Sequence, residues 1–147
     1  MTSRIKDLWT NIDFKKEENT SLTLMKRQAE LLKKKTNGLL EGKIITFSQD
    51  NAIYHTFYIY APQLDNFRYA LLRITSNKTM YPVSVYDYSN DALDSLANFS
   101  GSDGYEPPDF IAENYQEFEK ELEKILSSNG TQKIITSLVN QSRAAVS

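Results

Sequence analysis

Hydrophobic and polar positions change period twice along this chain, dividing it into helical, strand-like and again helical blocks. In the first block Ile5, Leu8, Trp9 and Ile12 stand at i, i+3, i+4 and i+7, the spacing of one helix face. They predict a short amphipathic helix that Ser3 caps, in an N-terminal arm spanning 1–19. The polar run 14–19 interrupts it. Leu24, Met25, Leu31 and Leu32 form the stripe of a longer helix over 21–37, with Gly38 in the C′ position that favours glycine.

From residue 39 to 88 the pattern is that of strands broken by turn residues. Four runs are expected: 39–47, 52–61, 67–75 and 80–88, separated by Ser/Gln/Asp/Asn, Pro/Gln/Leu/Asp/Asn and Ser/Asn/Lys/Thr. Links this short join antiparallel neighbours, so the runs predict a β-meander. Pro82 has no N–H to give a ladder, which makes the fourth run an edge strand or an irregular start. In the third run Phe67, Tyr69 and Leu71 alternate with Ala70, Leu72 and Ile74, so strict alternation predicts that both sheet faces are partly covered.

After residue 88 the helical period returns. Ser89 or Asn90 is placed to cap a brief helix carrying Leu93, Leu96 and Ala97, followed by a loop over 100–109. Ile111, Tyr115, Phe118, Leu122 and Ile125 mark the clearest helix, ended by Asn129-Gly130. Thr131 then caps a last helix with Ile134, Ile135, Leu138 and Val139. The order αα-ββββ-ααα keeps strands and helices apart, which argues α+β, a four-stranded antiparallel meander flanked by helices. The 147 residues suit one domain spanning 1–147, with 20–38 helical, 39–88 the meander and 89–147 a helical part.

Composition narrows the possible chemistry. There are no cysteines, which excludes disulfides, thiol nucleophiles and Cys-containing zinc sites. No stretch approaches the roughly 20 apolar residues of a membrane span, and the first residues lack the apolar run of a signal peptide, so a cytoplasmic protein without a membrane partner is expected. The formal net charge of −2 disfavours nucleic-acid binding by bulk electrostatics. Basic residues nonetheless gather early, at Lys26, Arg27, Lys33, Lys34 and Lys35, and acidic ones late, around Glu117, Glu119, Glu121 and Glu123. Their plainest reading is two solvated helix faces.

The candidate site is the run 53–60. One side of such a strand carries Ile53, His55, Phe57 and Ile59; the other carries Tyr54, Thr56, Tyr58 and Tyr60. Tyrosines pair apolar area with a hydrogen-bonding hydroxyl, as a recognition surface needs. Arg68, Arg73 and Tyr86 on neighbouring strands are expected to join them. Packing beneath a helix is the plainer account of the tyrosines, and a recognition patch is the alternative.

His55 is the only histidine, so it reads first as a neutral hydrogen-bonded residue, with a base or pH sensor as the alternative. Glu41-Gly42-Lys43 resembles the second half of a metal-dependent nuclease core, but the aspartate such a core needs on an adjoining strand is missing from the expected order. No phosphate-binding glycine motif and no nucleophile elbow occurs.

The expected function is therefore a non-enzymatic interaction or regulatory module without a cofactor. It would bind another protein through the Tyr/Arg-bearing sheet, with the acidic late helix steering a basic partner; an immunity- or antitoxin-like protein is one concrete form. The alternatives are a small-molecule site or weak enzyme lined by His55, Tyr58 and Arg73, and a homodimer formed through the tyrosine face.

Overall fold

The computed structural model describes residues 5–16, 18–90 and 106–146. Helix α1 (Ser21–Lys35) begins where the Thr20 hydroxyl accepts the Thr23 N–H at 3.0 Å. It ends in a Schellman turn, with Asn37 at φ 51° and Gly38 at φ 82°. The Gly38 N–H donates to the Lys33 carbonyl at 2.9 Å and the Asn37 N–H to the Lys34 carbonyl at 3.2 Å. Asparagine, which tolerates the left-handed region, thus takes the C′ place expected of Gly38, and the glycine follows it.

Strands β1 (Glu41–Gln49), β2 (Ala52–Ala61), β3 (Phe67–Ser76), β4 (Val83–Asp87) and β5 (Phe110–Ala112) form an antiparallel sheet in the order β1-β2-β3-β4-β5. The β1–β2 turn is two residues long, with Asp50 at φ 53° and Asn51 at φ 64°. Left-handed geometry at both centres is that of a type I′ hairpin, whose twist matches its strands. The β2–β3 link is one 3₁₀ turn (Pro62–Leu64) followed by left-handed Asp65 and Asn66. Helices α2 (Tyr115–Leu126) and α3 (Asn129–Val146) complete the described elements. The class is α+β, with a five-stranded antiparallel sheet and three helices among the described residues.

All three helices pack on the sheet face that carries Phe57 and Ile59. Met25 of α1, Phe118, Leu122 and Ile125 of α2, and Leu138 of α3 join those two in one core with Leu72 and Val85. Helix α2 is held at its start by Asn114, whose side chain accepts the Glu117 N–H at 2.9 Å, while Glu117 accepts the Glu113 N–H at 3.0 Å.

Four expectations need correction, and one pair of alternatives is decided. Residues 5–16 are not helical: Ile5, Leu8, Trp9 and Ile12 are 95%, 80%, 66% and 50% exposed, and an unpacked stretch this short lacks the burial that sustains a helix in water. The sheet has a fifth strand at 110–112, so Ile111 lies on a strand and not on the helix stripe. Three residues are too few to display a period. Of the two readings of the fourth run the irregular start holds: β4 begins just after Pro82, and it is not an edge, because β5 pairs with its far side.

The last helix starts at Asn129 rather than after Thr131. The Ser128 hydroxyl takes the capping role, accepting the Thr131 N–H at 3.2 Å, and the Thr131 hydroxyl donates to the Ile125 carbonyl at 2.6 Å. Finally, alternation in β3 is broken by a bulge. The register slips between Phe57 and Tyr58, so consecutive Leu71 and Leu72 are both buried toward the helices. Both faces are therefore not lined with apolar β3 residues. The brief helix anticipated around Leu93, Leu96 and Ala97, and most of the 100–109 loop, lie outside the described residues.

Candidate functional site

Side chains opposite one another in an antiparallel ladder share a face. Tyr54, Thr56, Tyr58 and Tyr60 of β2 stand opposite Phe47, Ile45, Lys43 and Glu41 of β1. On the other side Tyr60 meets Arg68, Thr56 meets Arg73, and Arg73 meets Tyr86. The described helices leave this face uncovered, because they all pack behind it. Six of the seven candidate residues, Tyr54, Tyr58, Tyr60, Arg68, Arg73 and Tyr86, thus share one surface.

Two cation–aromatic groups organise it. In the first, the Phe47 and Tyr54 rings stack at 4.6 Å with 5° between their planes. The Arg73 guanidinium lies 5.8 Å from both ring centres, and its Nε donates to the buried Thr56 hydroxyl at 3.3 Å. In the second, Tyr58 and Tyr60 meet edge to face at 6.3 Å. Lys43 stands 4.4 Å over the Tyr60 ring and Arg68 4.9 Å over Tyr58, with an Arg68 N–H donating to the Tyr60 hydroxyl at 3.4 Å. That hydrogen bond raises the Arg68 pKa further. Placing the positive charge over the ring quadrupole stiffens long side chains that otherwise wander.

Carboxylates border the face: Glu106 and Asp109 act on Tyr88 beside Arg73, whereas Lys43 and Arg68 form none of the salt bridges seen among the described residues. Glu41, at the β1 edge, pairs with Lys33 of α1 at 3.6 Å. Asp109 accepts the Asp87 N–H at 2.7 Å. Tyr88 adjoins the first group; burial raises its phenol pKa, the charge of Arg73 works against that rise, and Glu106 and Asp109 add to it. The face offers fixed positive charge, flat rings and hydroxyls. That chemistry suits carboxylates and planar groups.

The seventh candidate is elsewhere. His55 pairs with Thr46 on the helix-facing side, where its Nδ1 and the Thr46 hydroxyl share a hydrogen bond at 2.7 Å. Partial burial, then the charge of Lys26, lowers its pKa below the ordinary 6.5. A pocket lined jointly by His55, Tyr58 and Arg73 is not assembled, since the sheet itself separates the first from the other two.

Lys43, Phe47 and Thr56 escaped the sequence reading as site residues. The signal for the first two was the Asp50-Asn51 pair: a two-residue hairpin centred there sets 43, 45 and 47 opposite 58, 56 and 54. Among the described residues no three His, Asp or Glu side chains gather closely enough to hold a metal ion, and no helix is long and apolar enough to cross a membrane. No family model, curated protein or solved structure matches this chain.

Proposed function

We propose that the protein is a binding module that recognises another protein through the sheet face opposite its helices. One observation carries the reading: Lys43, Arg68 and Arg73 each lie over an aromatic ring on a surface that the described helices leave uncovered. Tyrosine and arginine are the residue types that most often anchor protein interfaces. Rings hold these cations in place, so less side-chain freedom is lost when a partner binds. The partner's contacting segment is acidic, because the surface presents positive charge. The late carboxylates expected to attract a basic partner lie on α2, in the layer behind the sheet, and contribute nothing to this face. A cytoplasmic setting belongs to the proposal; an immunity-like role against a basic partner is a separate alternative, which rests on size and net charge alone and not on this face.

The test is capture with tagged protein from lysate of its source cell at moderate salt, identification by mass spectrometry, then titration of the purified partner. Lys43→Glu with Arg68→Glu reverses two exposed charges and is checked for folding by circular dichroism. The expected outcome is salt-sensitive binding that the folded double variant loses. Equal binding by the variant, or binding indifferent to salt, would overturn the reading.

A further inference from the structure

The arm ahead of α1 presents five large apolar side chains to water: Ile5, Leu8, Trp9, Ile12 and Phe14, from 50% to 95% exposed. Four of them keep helical spacing, although the arm forms only isolated turns, such as the Ile12 N–H donating to the Trp9 carbonyl at 3.3 Å. An apolar stripe this dense on a soluble surface marks an interaction element. The same molecule carries a matching vacancy between α1 and α2. It is a cleft of about 380 Å³ whose apolar floor is Leu24, Leu122 and Leu126 and whose rim carries Glu119 and Glu123. Through Gln28 and Leu126 it continues into a second cleft of about 300 Å³ over Leu32.

We infer that the arm of one copy docks as an amphipathic helix into the α1–α2 cleft of a second copy, reciprocally. Helix in groove is a standard recognition mode, and the arm's 5, 8, 9, 12 stripe has the anchor spacing it requires. Over residues 5–16 the lysines Lys6, Lys15 and Lys16 outnumber Asp7 and Asp13 by one, so the arm is opposite in sign to the rim carboxylates Glu119 and Glu123. The arm joins α1 at Ser21, one turn before the cleft residue Leu24, and the Tyr81 hydroxyl donates to the Asn19 carbonyl at 3.3 Å. A single chain leaves both arm and cleft open; two chains exchanging arms fill both. Such an exchange is isologous and closes at two copies. The four stripe residues of each partner, with Phe14 on the opposite side of such a helix, bring the contact into the range above roughly 1,000 Å² that specific interfaces need.

Trp9 is the only tryptophan, so its fluorescence reports this event directly. Mass by sedimentation and Trp9 emission are followed together as the concentration of the full chain is raised. The expected result is a doubling of mass and a shift of emission to shorter wavelength with one shared midpoint. Leu8→Glu with Ile12→Glu, both at exposed positions, abolishes both changes while the circular dichroism of the body stays the same. Glu119→Arg with Glu123→Arg moves the midpoint to higher concentration. A mass that stays single, a doubled mass without an emission shift, or a shift at single mass would overturn the inference. Because the sheet face is not involved, failure here leaves the proposed partner-binding function standing.

Discussion

Gly42 of β1 lies directly beneath Ala29 of α1: a methyl group on Gly42 would come within 2.6 Å of both the Cα and Cβ of Ala29. It would also meet the Phe57 ring at 3.0 Å. This contact seats α1 on the Phe57 side of the sheet and leaves the Tyr58 side uncovered by it.

Gly42→Ala therefore overpacks a site that has backbone on one side. The expected cost is about 1–3 kcal/mol, read from the urea unfolding midpoint. An unchanged midpoint would mean that α1 slides on the sheet and does not set its open face.

Arg73 ties the first aromatic group to the buried hydroxyl of Thr56. Arg73→Met removes that hydrogen bond and both ring contacts, for an expected loss of about 1–2 kcal/mol. In the double variant with Thr56→Val the loss is smaller than the sum of the two single ones, because no unpartnered hydroxyl remains. Strict additivity in thermal or urea unfolding would show that the two side chains do not act together.

His55 carries a pH dependence of definite sign. Its folded-state pKa lies below 6.5, so the unfolded chain binds the proton more readily. Stability from this group is fully present above pH 6.5 and is lost as the pH falls through the lower folded value. As the only histidine it gives an unambiguous NMR titration. The expected midpoint is below 6.5, and His55→Gln flattens the matching slope of melting temperature against pH; a midpoint above 6.5 contradicts the burial argument.

Ser142 of α3 is fully buried, and its hydroxyl has no hydrogen-bond partner among the described residues. Ser142→Ala relieves that desolvation penalty and raises helix propensity, so it is expected to stabilise by roughly 1 kcal/mol. A lowered melting temperature would reveal a partner for the hydroxyl, such as a bound water.

The elements legible in the sequence are those whose signal is local. Strand β2 was bounded at 52–61 by pattern alone, since ten residues rich in Tyr, Phe and Ile between turn signals leave little ambiguity. Helices α1 and α2 were legible from repeated apolar spacing, and the Tyr54, Tyr58 and Tyr60 face from simple alternation. β5 was not legible, because a three-residue strand is defined by its partner. The arm failed for the opposite reason: Ile5 to Ile12 has a helix's spacing, but spacing forms a helix only where something covers the stripe.

By itself, then, the sequence determined the α+β class, a turn within 48–51, and which tyrosines share a side. Only the tertiary structure decided which side is covered. The Leu71–Leu72 bulge turns two successive leucines toward the helices, and Gly42 admits Ala29 against the same face. Neither fact has a local signature, since each depends on the room left by residues distant in the chain. For the same reason the Lys43, Arg68 and Arg73 cations on their rings became visible only once three strands were in register.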